Sequence, residues 1–486
     1  MARTLKDFKA AHDALAVSSA VHDRFLNSAP KGTTHFIFTA AQNATPVSDK
    51  FWRSLLAAKA HYKAHLSVIL LRYKNPTSIW SRSQENAEVW APEIEKFRLN
   101  QRFQVNKNLC VSGSIKVVPT ASDPLTGFEA LTGAESMIIG HTKLAFRTVP
   151  VPGAQMAKLL TTTGACTVPN YSDSRAGAGG QFHHTIGAVI VEVMGGKFFL
   201  RHLIADDSGE FIDLDVKFTP KGVEKAPPPV AIALGDTHVE FTDPGVDKAT
   251  FGTRGIVMEL KPKRIYWHDL CDNYAVNPHH FGNPFNEIAK AKTGKDDAEA
   301  EVARAIEFVK SRTPEWSESF IVASNHNDFL SRYIVKADWK MIPPKNRAFY
   351  LRTALAMVEG TRLSERGTEY PDPFAHWVNQ ANIPRVRCLQ IGESSRVLDI
   401  EMGMHGDEGP NGARGSRKNL RRLGVRALVG HGHGPGIDEW CYQVGTSSRL
   451  RLEYNLGPSN WLHTHGCVHS NGKIQLITMI DGKYRL

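Results

Sequence analysis

Short apolar runs alternate with polar segments along most of the chain. In the first part, apolar runs at 34–41 and 66–73 flank an amphipathic stretch at 49–65. Strand, helix and strand at this spacing predict a β-α-β unit with parallel strands. Residues 4–30 carry mixed charge at helical spacing and predict one or two helices. We therefore predict that residues 1–217 form an α/β domain.

Three consecutive prolines interrupt this pattern. They lie in the segment 218–230, where they predict a stiff linker between two domains. A second domain is then expected at 231–486, with a helix at 296–312 and an aromatic-rich helical insertion at about 329–380. Its strand-like runs are 230–235, 264–268, 319–324, 397–403 and 425–430, and its tail is β-rich. The expected fold class is α/β, or α+β. The glycine-rich stretch at 175–184 predicts a loop, with contact to phosphate as the alternative.

Composition places the chain among ordinary globular proteins. It has 486 residues, of which 42% are hydrophobic and 22% charged. No run approaches the roughly 20 apolar residues that cross a membrane, and the N-terminus lacks the apolar core of a secretory signal. Six scattered cysteines form no CxxC pair, so we expect free thiols in a reducing cytoplasm. The net charge of +10 favours a polyanionic partner such as DNA.

Residues that bind metal ions follow each strand-like run of the second domain. In chain order they are Asp236 with His238, Asp269, Asn325, His405, and His431 with His433. Two divalent ions held close together can activate a water and offset charge on a phosphoryl group. Mixed Asp, His and Asn ligands favour Mn²⁺, with Fe²⁺, Zn²⁺ or Mg²⁺ as alternatives. The pattern thus predicts a hydrolytic centre with two divalent metal ions.

This order of motifs resembles the calcineurin-like metallophosphoesterase superfamily, over residues 230–440. The matching pattern is Asp-x-His, Asp-x-x-Asp, Asn-His, His and Gly-His-x-His. The resemblance implies a β-sandwich flanked by helices, and it distributes the ligands between two ions. One ion would be held by Asp236, His238 and His433, the other by Asn325, His405 and His431, with Asp269 bridging them.

The same resemblance assigns two further catalytic residues. His326 would contact the phosphate and protonate the leaving oxygen, and Asp272 would orient His326. The sequence also departs from the family at His268 and Ser324, where glycine is usual, and at Asn327 and Asn273. Asn273 stands where the phosphoprotein phosphatase branch has Arg-Gly, which argues against a protein phosphatase. None of these departures removes an expected ligand.

Basic residues near the motifs indicate the substrate. Arg414, Arg417, Lys418, Arg421 and Arg422 follow His405 and are candidate DNA contacts. A solvated helix face is the alternative reading of that cluster. The insertion also interleaves basic and aromatic residues, which suits single-stranded DNA, although aromatics at helical spacing are more typical of a core.

The N-terminal half resembles a group of tailed-phage metallophosphatases through the stretches AAQNATPV, LLRYKNPTS and TTTGACTVPNYSDSRAGAGGQFHH. That group includes a pre-early DNA-transfer protein implicated in host DNA degradation. The resemblance implies a DNase in the host bacterial cytoplasm, with an N-terminal domain for oligomerisation, regulation or DNA contact. A homo-oligomer is therefore expected. Two alternatives stay open: a small-molecule phosphomonoesterase or nucleotide phosphodiesterase, and a DNA- or host-factor-binding protein whose metal site is structural.

Overall fold

A computed structural model describes residues 29–71, 89–153, 156–365 and 367–486. The helices predicted at 4–30 fall almost entirely outside these residues. Within the described residues the α-helices are α1 (Asp49–His61), α2 (Arg175–Phe182), α3 (Pro244–Phe251), α4 (Ile256–Leu260), α5 (Pro284–Thr293), α6 (Ala298–Arg312), α7 (Asn327–Lys336), α8 (Pro344–Gly360), α9 (Pro373–Gln380) and α10 (Arg417–Leu420). None of these helices is long and apolar enough to cross a membrane.

Among the described residues, strands are more numerous than α-helices in both halves of the chain. The first half has β1 (His35–Gln42), β2 (His65–Leu71), β3 (Arg98–Leu99), β4 (Arg102–Asn106), β5 (Leu109–Ser112), β6 (Ser136–Ile139), β7 (Ala145–Val149), β8 (Lys158–Thr162), β9 (Gly187–Met194), β10 (Lys197–Ile204), β11 (Phe211–Asp213), β12 (Val216–Thr219) and β13 (Gly222–Lys225). The second half has β14 (Ala231–Ala233), β15 (Arg264–Trp267), β16 (Glu318–Ile321), β17 (Arg362–Ser364), β18 (Gly367–Glu369), β19 (Val386–Cys388), β20 (Arg396–Val397), β21 (Ile400–Glu401), β22 (Arg426–Val429), β23 (Gly436–Asp438), β24 (Cys441–Gln443), β25 (Thr464–Val468) and β26 (Ile474–Thr478). The fold is a mixed α/β fold, as predicted.

A five-stranded sheet of order β10-β9-β1-β2-β3 organises the N-terminal half. Strands β1 and β2 are parallel and are joined by α1, which confirms the predicted β-α-β unit. The buried face of α1 carries Phe51, Trp52 and Leu55, spaced three and four residues apart as on one side of a helix. Strands β9 and β10 then extend the sheet in antiparallel fashion.

Two further sheets pack together. One has the order β19-β16-β15-β14-β25-β26, and the other is a ten-stranded sheet of order β20-β21-β22-β24-β23-β7-β8-β6-β5-β4. Side chains of successive β14 residues point to opposite faces of the six-stranded sheet, because side chains alternate along a strand. Ala231 and Ala233 join the core between the sheets, whereas Ile232 packs into a second core with residues of α3, α4 and α6.

The ten-stranded sheet crosses the division predicted from the prolines. Strand β7 of the N-terminal half pairs antiparallel with β23 of the C-terminal half, with Phe146 opposite Ile437. One hydrophobic core includes both of these residues together with Phe38 and Leu428. Within the segment 218–230, strand β13 pairs with β12. A linker and two separate domains therefore stay a prediction, whereas the sheet and the core are shared.

The segment after the Asn325-His326 motif consists of α7, α8, a β17–β18 hairpin and α9. Its status as an insertion stays a prediction. Phe329, Phe349 and Tyr350 are buried, so these aromatics belong to the core, whereas Trp339 is exposed. The prediction of a loop at 175–184 is wrong, because residues Arg175–Phe182 form helix α2. The Ser174 hydroxyl caps this helix by accepting from Gly177 N–H. Glycine is required in that helix for close packing, since an added Cβ at Gly180 would lie 2.6 Å from the Tyr171 ring.

Candidate metal centre

The residues predicted as metal ligands lie just beyond the ends of short strands. Strands β14, β15 and β16 are parallel neighbours, and Asp236, Asp269 and Asn325 follow them in that order. His405 follows β21, while His431 and His433 follow β22, which is parallel to β21 in the other sheet. Carboxyl ends of parallel strands meet at one edge, which is where α/β folds place their sites. The two sheets thus bring both sets of ligands to one edge of the sandwich.

Several of these ligands have a left-handed backbone. The φ angles are 47° at His238, 42° at Asp269, 70° at His431 and 50° at His433. Side chains other than glycine rarely adopt positive φ, and such residues are held in place only where the surrounding structure compensates. The chain therefore turns sharply after β14, β15 and β22.

The first group of candidate ligands is Asp236, His238, Asp269 and His433, all of which are buried. His433 Nε2 lies 3.0 Å from Asp236 Oδ2 and 3.0 Å from His238 Nε2. Ligand atoms that share one ion at about 2.1 Å lie about 3.0–3.4 Å apart. His238 Nε2 is a further 3.7 Å from Asp269 Oδ2. The spacing therefore fits a single ion held by this group.

The second group of candidate ligands is Asn325, His405 and His431. His405 Nε2 is 3.1 Å from Asp269 Oδ2, and His431 Nδ1 is 3.2 Å from Asn325 Oδ1. The backbone N–H of His431 donates to Asp236 Oδ1 at 3.1 Å, which connects the two groups. Asp269 therefore lies between the imidazoles of both groups, as a bridging carboxylate would.

An unsatisfied carboxylate oxygen also indicates that cations fit here. Asp269 is buried, and among the described residues its Oδ1 has no hydrogen-bond partner. A buried charged oxygen without a donor is costly unless a cation compensates it. Oxygen and imidazole donors of this kind suit Mn²⁺, Fe²⁺ or Zn²⁺.

Charges within the centre shift the pKa values of its groups in opposite directions. Burial would raise the pKa of Asp236, but the neighbouring His433 and His405 lower it to about 2. The pKa of Asp269 is likewise held well below its usual value by His405 and His326, despite burial. Burial would lower the pKa of His238 and His405, yet nearby carboxylates raise each to about 9. The carboxylates are therefore ionised and attract positive charge.

Asp272 contacts His238 more closely than it contacts His326. Its Oδ1 lies 2.9 Å from His238 Nδ1 and 3.7 Å from His326 Nδ1. The His326 ring instead bonds through Nδ1 to the Asp272 backbone carbonyl, at 3.1 Å. The carboxylate thus fixes the tautomer of a candidate metal ligand, and the carbonyl orients His326. This leaves His326 Nε2 facing the centre, 4.0 Å from Asp269 Oδ2.

His268 belongs to the centre, although the sequence motifs assign it no role. It is fully buried, and its Nδ1 lies 3.3 Å from His405 Nδ1. Together with Asp236 and His405 it forms a group that could hold a metal ion. Burial, and next the charge of His405, lower the pKa of His268 to about 4, so the ring is neutral. The departure from glycine at this position was the signal that could have pointed to it.

The five basic residues predicted to contact DNA differ in their surroundings. Arg414 and Lys418 are exposed and line the cavity described below. Arg417 also lines it but donates to the Gly434 carbonyl at 2.9 Å. Arg421 is paired with Asp438 at 2.9 Å, and Arg422 is exposed outside the cavity lining. Arg414 and Lys418 are therefore the two whose charges are best placed for a ligand.

A cavity of about 750 Å³ opens onto the centre. Asp269, Asn325, His326, His431 and His433 form its floor. Its walls come from both halves of the chain, because residues 122–124 and 145–148 line it together with 414–418 and Trp461. The candidate centre is therefore accessible, and the N-terminal half helps to shape the access.

Fold and site together define a mixed α/β protein whose buried Asp and His clusters could hold metal ions. The sequence is 30% identical to Protein A1 of Escherichia phage T5 over 465 residues, which covers 92% of this chain and 82% of the T5 protein. The chain belongs to the family of this phage protein. No protein-family model matches the sequence.

Solved structures with similarity include two of Vps29. Chaetomium thermophilum Vps29 is 10% identical with a TM-score of 0.21, and covers 40% of this chain and 97% of its own. A double mutant of Vps29 from Entamoeba histolytica is 11% identical with a TM-score of 0.21, and covers 37% of this chain and 98% of its own. Scores this low carry no argument about function.

Proposed function

We propose that the protein is a two-metal-dependent phosphodiesterase that hydrolyses DNA, in the manner of calcineurin-like metallophosphoesterases. The observation that carries this proposal is the buried group Asp236, His238, Asp269 and His433, with His405 Nε2 3.1 Å from Asp269 Oδ2, beside a cavity that His326 also lines. Bound divalent ions at this place would supply an activated water and compensation of phosphoryl charge. Mn²⁺ is the expected ion, because the donors are mixed Asp, His and Asn.

The protein's own groups have separate tasks in this proposal. Asp236, His238 and His433 would hold one ion, Asn325, His405 and His431 would hold the other, and Asp269 would be shared. His326 is half-buried and faces the cavity through Nε2, from which it donates a proton to the departing 3′-oxygen. The Asp272 carbonyl accepts from His326 Nδ1 and so keeps Nε2 directed at the substrate.

Charge and family support DNA as the substrate. The chain has a net charge of +10, and Arg414 and Lys418 present cations in the cavity beside the centre. A DNA backbone needs such cations because it carries one negative charge per phosphate. The relative is a bacteriophage protein, so we infer that the substrate is host DNA in the bacterial cytoplasm.

The test incubates purified protein with plasmid and linear DNA in Mn²⁺. Wild type should degrade at least one of the two DNAs, whereas Asp269→Ala should lose activity by at least about 100-fold, because a shared ligand is removed. His326→Ala should lose about 100-fold or more while retaining bound metal. The matched controls Asp207→Ala and His279→Ala change exposed residues and should behave as wild type.

Two outcomes would contradict the proposal. If wild type leaves both DNAs intact but hydrolyses bis-p-nitrophenyl phosphate or p-nitrophenyl phosphate, the enzyme acts on small phosphate esters and the DNase assignment fails. If Asp269→Ala retains full activity and full metal content, the ligand assignment itself is wrong. Binding of DNA without hydrolysis of any ester would favour a binding protein with a structural metal site.

A further inference from the structure

Two aromatic side chains stand beside the candidate metal centre. The Trp461 ring centroid lies 4.1 Å from that of His433, with the planes at 86°. The Tyr454 ring lies 5.5 Å from Trp461, at 61°. Both residues line the cavity that contains His326 and Asp269. The segment between β24 and β25 thus places an aromatic pair directly next to the expected position of the scissile phosphate.

This pair differs from the aromatics of the helical insertion, which are mostly in the core. Tyr454 is 59% exposed, and Trp461 is half-buried against a candidate ligand. Asn460 lies between them in sequence and lines the same cavity. A flat apolar face and a side-chain amide are together the groups that recognise a nucleobase, one by stacking and the other at the base edge.

The other wall of the cavity carries cations. Arg414 and Lys418 are exposed there, and the ligand groups form the floor. One nucleotide offers complementary groups to all three surfaces: a base for the rings, phosphates for the cations, and a phosphodiester for the centre. A protein or sugar phosphate would leave the rings unused, so the combination favours a nucleic acid over other phosphate esters.

We propose that Tyr454 and Trp461 form a stacking platform for the base next to the scissile phosphate, so that the site takes single-stranded or frayed DNA. In an intact duplex each base is already stacked on its neighbours, and a base must leave that stack before a protein ring can contact its face. This inference rests on the proposed phosphodiesterase function and names the form of its substrate.

Binding can be measured without turnover in the His326→Ala protein with Mn²⁺. Fluorescence anisotropy compares a labelled single strand of about 12 nucleotides with the same strand carrying consecutive abasic positions. The base-containing strand should bind about tenfold more tightly, as expected for stacking of a base on a protein ring. Tyr454→Ala in the same background should bring this ratio close to 1. Tyr370→Ala, an exposed tyrosine outside the cavity lining, is the matched control and should preserve the ratio.

Trp461 needs a second measurement because it contacts His433. Trp461→Phe keeps a flat ring and should retain most of the preference for the base-containing strand over the abasic strand, whereas Trp461→Ala should lose this preference. Bound Mn²⁺ is measured in both variants. Equal affinity of the His326→Ala protein for the two strands would contradict the proposed stacking platform. An unchanged ratio of these two affinities in Tyr454→Ala would contradict it as well. Hydrolysis of bis-p-nitrophenyl phosphate by wild type is scored separately, so failure of the phosphodiesterase function is distinguishable from failure of the platform.

Discussion

At the scale of single residues, the candidate ligands depend on partners that do not themselves face the ion. Asp272 accepts from His238 Nδ1 at 2.9 Å, which leaves His238 Nε2 for the ion. His268 is placed in the same way against His405, with 3.3 Å between their Nδ1 atoms. A ligating histidine is usually oriented through its other ring nitrogen, and loss of that partner weakens metal binding. His268 is therefore expected to orient His405.

His268→Ala should lower the affinity of the centre for Mn²⁺ by about tenfold or more, because His405 loses the partner that fixes its ring. Isothermal titration of metal-free protein with Mn²⁺ would measure this effect together with the number of ions bound. The exposed His279→Ala variant is the control and should titrate as wild type. Two ions bound at wild-type affinity in His268→Ala would show that the contact has no positioning role.

At the scale of elements, the centre is produced by abrupt strand ends. Strand β22 ends at Val429, and the following Gly430 lies against the two neighbouring strand ends. An added Cβ at Gly430 would lie 2.3 Å from Asp236 Oδ1 and 2.8 Å from His268 Cγ. Contacts this short require the neighbours to move, and both neighbours belong to the centre. The glycine before the first histidine is thus needed for close approach.

Gly430→Ala should therefore reduce Mn²⁺ affinity by at least about tenfold, because displacement of Asp236 disturbs a ligand directly. Metal content after dialysis against limiting Mn²⁺ provides the measurement, with circular dichroism to follow folding. Gly457→Ala is the matched control, since an added Cβ there meets open space. Normal metal content in a folded Gly430→Ala protein would mean that the neighbours relax without cost to the centre.

At the scale of the whole molecule, the two halves share a sheet, a core and a cavity. Strand β7 pairs with β23, and residues 145–148 line the cavity beside the centre. The backbone N–H of Leu214 also donates to Gln475 Oε1 at 3.1 Å. The N-terminal half is thus structurally continuous with the candidate catalytic half.

A fragment of residues 231–486 should consequently be poorly soluble when expressed alone. Removal of β7 exposes the edge of β23 and leaves apolar residues such as Leu428 and Ile437 without their N-terminal partners. Centrifugation of lysates and size-exclusion chromatography would compare the fragment with the full chain. A soluble, monomeric fragment with normal metal content would show that the C-terminal half folds independently, as the proline segment alone suggested.

Acid should destabilise the protein through its buried histidines. His141 is buried, its Nδ1 accepts from Lys143 N–H, and burial lowers its pKa to about 4. The same cause lowers the pKa of His202 and His469 to about 4. In the unfolded chain these imidazoles take up a proton near pH 6.5, whereas in the folded protein they stay neutral at that pH. Their contribution to the stability of the folded protein is therefore complete above pH 6.5 and is lost as the pH falls towards 4.

The free energy of unfolding of metal-free protein should fall by roughly 1–2 kcal/mol per such histidine between pH 7.5 and pH 5. Urea unfolding at the two pH values measures this change. His141→Gln should show a smaller pH dependence than wild type, while His279→Ala should show the same dependence. An unfolding free energy that does not change with pH would contradict neutral burial of these rings.

Hydrophobic patterning and local motifs by themselves determined much of this protein. They predicted the β1-α1-β2 unit and the strands of the C-terminal half, because each of these depends on residues close in sequence. The homo-oligomer and the individual ligand roles stay predictions. Tertiary structure decided what long-range pairing controls: the sheet shared through β7 and β23, and the contact of Asp272 with His238.

Tertiary structure also decided which side chains surround the centre. Tyr454 and Trp461 belong to no motif and lie far along the chain from His326, so only packing brings Trp461 to His433 and Tyr454 to Trp461. The arginines after His405 look alike in sequence, yet Arg421 is neutralised by Asp438 while Arg414 faces the cavity. Local sequence specified the groups that can bind metal, and the meeting of distant segments specified what reaches it.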